Sequence, residues 1–309
     1  MIEEIDRELN KLIEDFDRAM GFEALRLANE TSELSFLDLS IVDPQGFGVE
    51  RVDQELLIGR LKPVGTSYHR NLRCMDGTRQ SLLNQITDWV ANEPGKENDL
   101  QRNAYWVYGS PGIGKTLLAH SICASLHKRN HLAGAFFCQR DDLNLSEPIN
   151  ILPTFIHKLA VLFPPFRNIV AKHLRNDPNI TLESMNSSLF LDFISSLCHL
   201  PEHTLAFVID ALDECGNAQS RPHLLKDLIN AAAQAPWLKI IITSRTEVNI
   251  QQFFDTLPWL SYFPYDLATD QNSNADLRVF ARSQFDLVTT HWHLNTLWPE
   301  ASDFNRVIS

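Results

Sequence analysis

The sequence is short of basic charge, of paired cysteines, of long apolar runs and of repeats, and each shortage excludes something. Lys and Arg number 27 against 39 Asp and Glu in 309 residues, a net charge of −12. Nucleic-acid binding draws on surplus cations that neutralise phosphates, so no nucleic-acid partner is expected. The five cysteines, at positions 74, 123, 138, 198 and 215, form no CxxC pair. Neither a disulfide framework nor a zinc knuckle is indicated, and buried, reduced thiols are expected. No segment approaches the ~18 consecutive apolar residues that suggest a membrane span. The opening MIEEIDRELNKLIEDF lacks the basic start of a signal peptide, so a cytoplasmic chain is expected. No internal repeat of solenoid or propeller length is visible.

What is present is a core. Hydrophobic residues make up 44% of the chain, which rules out disorder as its main state. The charge is uneven: residues 1–50 hold 13 acids and 4 bases, leaving 26 acids against 23 bases elsewhere. Residues 1–29 read as an amphipathic N-terminal helical segment. Ile2, Ile5, Leu9, Leu12, Phe16 and Ala19 recur at steps of three and four, and Gly21 stands where a left-handed cap is favoured. Two readings of that stripe stand side by side: packing on the rest of the chain, or pairing through residues 1–20 with a protein partner or a second copy. Residues 30–72, broken by Pro44, Gly46, Gly48, Pro63 and Gly65, read as a connector with at most short elements.

From residue 73 the pattern tightens, with Leu82, Leu83, Ile86, Trp89 and Val90 at helical spacing. After the apolar run AYWVY comes Gly109-Ser110-Pro111-Gly112-Ile113-Gly114-Lys115-Thr116, then a helical pattern beginning at Leu117. This is G-x-x-x-x-G-K-[ST] in its strand–loop–helix context, the pattern of a phosphate-binding loop. Glycines let backbone N–H groups converge on phosphate oxygens, and the following helix adds its N-terminal dipole. Residues 109–117 are thus the candidate nucleotide-binding set. Lys115 is placed for the β- and γ-phosphates and the Thr116 hydroxyl for Mg²⁺.

A phosphate loop needs an acidic partner to hold the metal. Leu205-Ala206-Phe207-Val208-Ile209 reads as a buried parallel strand ending at Asp210, the second candidate Mg²⁺ residue. Asp213 and Glu214 follow at the distance where a carboxylate could orient or deprotonate water. Lys239-Ile240-Ile241-Ile242-Thr243-Ser244-Arg245 reads as another such strand, and its guanidinium is placed to sense a γ-phosphate or to pair with a carboxylate of the acidic loop. With a further strand at 133–138, the expected fold is an α/β, three-layer αβα P-loop NTPase domain on a parallel sheet. It would span 73–268 with its core at 103–268, preceded by the N-terminal helical segment and followed by a helical region over 269–309.

Taken together, GSPGIGKT, FVIDALDEC and KIIITSR resemble the NACHT P-loop NTPases of the signal-transduction (STAND) class, and among them the fungal NACHT proteins with a nephrocystin-like core. The stretches CMDGTRQSLLNQITDWV, IHKLAVLFPPFRNIVAKHLRNDPNI and LWPE carry the same resemblance, which covers roughly 70–309. It implies an NLR-like signalling switch that binds ATP or ADP with Mg²⁺, with GTP also open, and hydrolyses it slowly. Fungal relatives act in non-self recognition and programmed cell death. By position it implies phosphate and Mg²⁺ roles for Lys115 and Thr116 and the Mg²⁺ aspartate for Asp210. Asp213 and Glu214 become the hydrolytic acids, Arg245 the sensor, and Thr78 and Arg79 neighbours of the base and ribose. The usual winged-helix and repeat regions do not follow before Ser309, so micromolar, fast-exchanging nucleotide is expected. The alternative is a nucleotide-binding adaptor with negligible turnover, acting through its N-terminal helix. No Asn-Lys-x-Asp guanine motif supports a small GTPase, and His291-Trp292-His293 has no third ligand nearby to make a metal site.

Overall fold

The structure, a computed structural model, describes residues 47–64, 68–69, 71–91, 102–177, 180, 185, 187–197, 201, 203–258, 261–270 and 273–291. The N-terminal helix read over 2–19, the pair Trp292 and His293, the LWPE stretch and Cys198 lie outside those residues. The chain divides into two units, Met1–Arg51 and Val52–Ser309. The sheet, the core clusters and the candidate site lie in the second.

Five strands form its centre: β1 (Ala104–Tyr108), β2 (Leu132–Phe137), β3 (Leu205–Asp210), β4 (Leu238–Ser244) and β5 (Tyr262–Asp266). They lie in the order β2-β3-β4-β1-β5, and every neighbouring pair is parallel. Their carboxyl ends therefore share one edge. The apolar runs are long because both faces are covered, and consecutive side chains go to opposite layers. Phe207, Ile209, Ile240 and Ile242 enter one core cluster, whereas Ala206, Val208 and Ile241 enter the other.

The second cluster is closed by α2 (Gln80–Ala91) and α3 (Lys115–Lys128), through Leu82, Ile86, Leu118 and Ile122. The first is closed by α4 (Ile151–Leu162), α5 (Pro164–Asn176), α6 (Ser187–Ser196), α7 (Ser220–Gln234) and α8 (Val248–Thr256). Aromatic stacking fixes particular seats there: Phe155 lies on Phe207 at 3.8 Å between ring centres, and Trp106 on Phe254 at 4.4 Å. The Trp106 indole N–H donates to Ser244 Oγ at 2.9 Å, which satisfies a buried donor. The α/β three-layer expectation holds. Cys123, Cys138 and Cys215 are free and buried, and Cys74 is half-buried. No helix among the described residues is long and apolar enough to cross a membrane.

Two features correct the sequence reading. A 13-residue helix, α1 (Phe47–Gly59), occupies part of the segment expected to be a connector with at most short elements. Ile58 and the following Leu61 are buried in the first core cluster, so residues before 73 pack into the core. Arg60 adds a polar tie, donating to the carbonyls of Leu174 (2.7 Å) and Ile180 (3.1 Å) at the end of α5. The other feature is β5, which no apolar run announced. It is an edge strand containing Pro264, where a missing N–H costs nothing to the ladder. Beyond it lies α9 (Ser273–His291).

Leu61 is fully buried, so Leu61→Ala should cost about 3 kcal/mol in urea-melt stability. A loss below about 0.5 kcal/mol would show that residues 58–61 are not part of the core.

Candidate functional site: a phosphate loop facing an acidic turn

The loop between β1 and α3 takes its shape from backbone conformation. Gly112 (φ 77°) and Gly114 (φ 92°) are left-handed, and a Cβ on either would meet no atom within 4 Å. Backbone strain, not crowding, calls for glycine at these two positions. Gly109 is the opposite case, since its Cβ would come 3.2 Å from Ile113 Cγ2 and 3.4 Å from Leu267 Cβ. Ser110 and Pro111 are exposed, while Ile113 leans into the second core cluster. Helix α3 begins at Lys115, so its unsatisfied first-turn N–H groups open at the loop. Thr116 and Leu117 lie in that first turn. The Lys115 ammonium lies back across the loop, donating to the carbonyls of Gly109 (2.8 Å) and Ser110 (2.9 Å). Burial holds its pKa below the usual lysine value, against the upward pull of Asp213.

Asp210 ends β3 at the same edge with 2% of its surface exposed. Thr243 at the end of β4 donates its hydroxyl to Asp210 Oδ1, and the Thr116 hydroxyl lies close enough to the carboxylate to favour its charged form. Burial raises the Asp210 pKa to about 6, the two hydroxyls offset part of that rise, and the nearby Asp213 and Glu214 add to it. Strand pairing therefore brings Lys115, Thr116 and Asp210 together although they are far apart in the chain.

The chain then turns through Ala211, a left-handed non-glycine residue (φ 53°, ψ 46°), into a 3₁₀ turn over Leu212–Glu214. Such backbone carries a cost of about 1–3 kcal/mol that its surroundings must outweigh. The surroundings are visible. The Ala211 N–H donates to Thr243 Oγ1 at 3.0 Å. Asp213, 2% exposed, accepts the Arg245 N–H on Oδ1 (2.9 Å) and pairs with Arg245 Nε through Oδ2 (3.2 Å). Arg221 of α7 donates to the carbonyls of Asp213, Cys215 (2.8 Å) and Gly216 (3.4 Å). Glu214 is less constrained. Its Oε2 accepts the Arg140 N–H at 3.3 Å, and its Oε1 is 3.9 Å from Arg245 Nη2. A cleft of about 630 Å³ opens beside this turn, lined in part by Arg140, Glu147, Glu214 and Arg221.

Of the residues singled out in sequence, the structure gathers 109–117, Asp210, Asp213, Glu214 and Arg245 at one edge. Arg245 pairs with a carboxylate of the acidic turn, which was one of its two readings. Thr78 and Arg79 have other partners. The Thr78 hydroxyl donates to Met75 O (2.8 Å), and Arg79 Nη1 reaches Asp270 Oδ2 (2.6 Å) while its N–H donates to Asp276 of α9 (3.0 Å). Asp270, Asp276, Arg221 and the two hydrogen bonds of Thr243 were not anticipated. Those of Asp270, Asp276 and Thr243 cross long stretches of sequence and leave no local pattern, whereas Arg221 reaches back only five to eight residues.

Residues 77–245 match the family described as Nephrocystin 3, N-terminal. The chain belongs to that family. The match covers more than half of the 309 residues and supports a NACHT-like P-loop NTPase over that span. No curated protein sequence matches this nephrocystin-type chain. Among solved structures it is similar to the replication initiator DnaA bound to AMPPCP and single-stranded DNA, at 12% identity and a TM-score of 0.39, covering 78% of this chain and 59% of that one. It is also similar to Drosophila ORC bound to GC-rich DNA and Cdc6, at 14% identity and a TM-score of 0.37, covering 79% of this chain and 36% of that one. DnaA from Aquifex aeolicus bound to AMPPCP gives 12% identity, a TM-score of 0.35, and coverage of 71% and 55%. The nephrocystin-type chain thus spans less than two thirds of each, and nothing further rests on these likenesses.

Two buried groups set opposing pH dependences. The folded pKa of Asp210, about 6, lies above its ordinary 3.8, so its contribution is full below pH ~4 and is lost as pH rises through 6. His120 of α3 accepts the His69 N–H at 3.1 Å and stacks on Phe137 at 4.1 Å, and burial lowers its pKa from 6.5 to about 4. Its contribution is full above pH ~6.5 and is lost as pH falls through 4. Each is worth about 3 kcal/mol at most, and between pH 4 and 6 they nearly offset. Asp210→Asn should therefore be more stable than the parent at pH 7 by up to about 3 kcal/mol, and should lose stability steeply below pH 6. Urea melts at pH 4.5 and 7 check this. A variant less stable than the parent at pH 7 would contradict it.

Proposed function

We propose that this chain binds a nucleoside triphosphate with Mg²⁺ at residues 109–117 and hydrolyses it slowly, as a signalling switch of the NACHT type. The observation that carries the reading is the placement of the phosphate loop, with Thr116 at its end, beside the buried Asp210 at the carboxyl edge of the sheet. A buried carboxylate and a hydroxyl are hard oxygen donors of the kind Mg²⁺ takes. Thr116 and Asp210 would hold the ion, which when bound supplies charge neutralisation at the phosphates.

The chain's own groups supply the rest. Loop N–H groups and the α3 N-terminus cradle the β-phosphate, and Lys115 exchanges its two carbonyl acceptors for phosphate oxygens. Asp213 has both oxygens committed to Arg245, so it positions the turn. Glu214, the less constrained carboxylate, orients the attacking water. Arg245 lies between the two acids at the edge that carries the phosphate loop, where it would sense the triphosphate. Its hold on both acids favours low turnover, which keeps the adaptor reading in view. ATP and ADP are the expected nucleotides. Roles in fungal non-self recognition or cell death follow the resemblance to NACHT proteins and nothing in the geometry.

Lys115→Ala should weaken binding of a fluorescent ATP analogue by about 10- to 100-fold while the protein stays folded. Glu214→Gln should keep that affinity and slow hydrolysis. Unchanged affinity in the lysine variant would sink the site. Equal turnover in Glu214→Gln and the parent would leave the adaptor reading.

A further inference from the structure

The structure assigns to Thr243 the role of positioning residue for the metal-binding carboxylate. Its one hydroxyl sets both the aim of Asp210 and the left-handed turn that follows. This rests on the nucleotide-and-Mg²⁺ reading above and goes beyond it by naming a residue that touches neither ligand.

A threonine hydroxyl has one proton and two lone pairs. At Thr243, fully buried, a lone pair accepts the Ala211 N–H at 3.0 Å. The proton is thereby free to point only at Asp210 Oδ1, to which it is bonded. With Oδ1 committed, the remaining lone pairs of Asp210 are left for a cation beside Thr116. The same hydroxyl supplies the acceptor that an Ala211 N–H in left-handed geometry would otherwise lack, and so supports the turn that delivers Asp213 and Glu214. β4 is the right support. Its Ile242 pairs with Ile209, which puts Thr243 level with Asp210, and its Arg245 holds Asp213 two residues on.

The test compares Thr243→Val, which keeps the shape and loses the hydroxyl, with Thr243→Ser, which keeps the hydroxyl, in the full chain. Without ligand, hydrogen exchange of the Ala211 amide should quicken by about fivefold or more in the valine variant and stay near the parent's in the serine variant. The Mg²⁺ concentration for half-maximal ATP hydrolysis should rise by about tenfold or more with valine and be restored by serine. ATP affinity in EDTA should be the same in all three. If valine does not fold, Thr243→Ala against Thr243→Ser gives the same contrast. Valine and serine variants that behave alike, in exchange and in Mg²⁺ dependence, would overturn the assignment. A parent chain that binds no Mg²⁺-nucleotide would instead overturn the reading of the site, and the exchange comparison would still decide whether Thr243 holds the turn.

Discussion

A carboxylate sealed at the end of a central strand is costly unless hydroxyls or cations surround it, and the architecture of this chain is arranged around one. Asp210 leaves almost no surface to water, is bonded to Thr243 from the next strand, and has Thr116 of the helix after the phosphate loop close by. The Thr243 bond ties β3 to β4 at the edge where α3 begins. The residue is nonetheless a stability liability, because burial outweighs that bond. Its charge is disfavoured by burial, and only a cation at the same oxygens offsets that in full.

The acidic turn follows from the same constraint. Left-handed Ala211 redirects the chain as soon as Asp210 is placed, and three separate ties hold the result: Thr243 on the Ala211 amide, Arg245 on Asp213, and Arg221 on the carbonyls beyond. The division of labour between the acids follows. Asp213 is buried and doubly engaged, whereas Glu214 borders an open cleft. Farther out, Arg79 is held by Asp270 and Asp276, and Leu267 packs beside Gly109. The segment after β5 therefore touches both the phosphate loop and the turn that precedes α2.

The parts legible in sequence were those whose cause is local. The phosphate loop needs its residues in unbroken order, and β3 and β4 announce themselves because strands covered on both faces are continuously apolar. β5 escaped because an edge strand tolerates Pro264 and is only half-covered. α1 escaped because Gly46, Gly48 and Pro63 crowd its ends, although the buried Ile58 and Leu61 belong to the core. The ties at the site were illegible for another reason. Thr243 lies 33 residues from Asp210, and Arg79 lies 191 from Asp270, so only the folded sheet brings them together. Of the two readings of Arg245, the pairing with a carboxylate is the one visible as a contact, with Asp213.

The central claim is that loop, lysine and buried aspartate act together on a Mg²⁺-nucleotide. Equilibrium titration of the full chain with ATP, in Mg²⁺ and again in EDTA, tests it most directly. The account predicts one nucleotide per chain, bound more tightly when Mg²⁺ is present. No saturable binding at millimolar ATP, or binding indifferent to Mg²⁺, would contradict it.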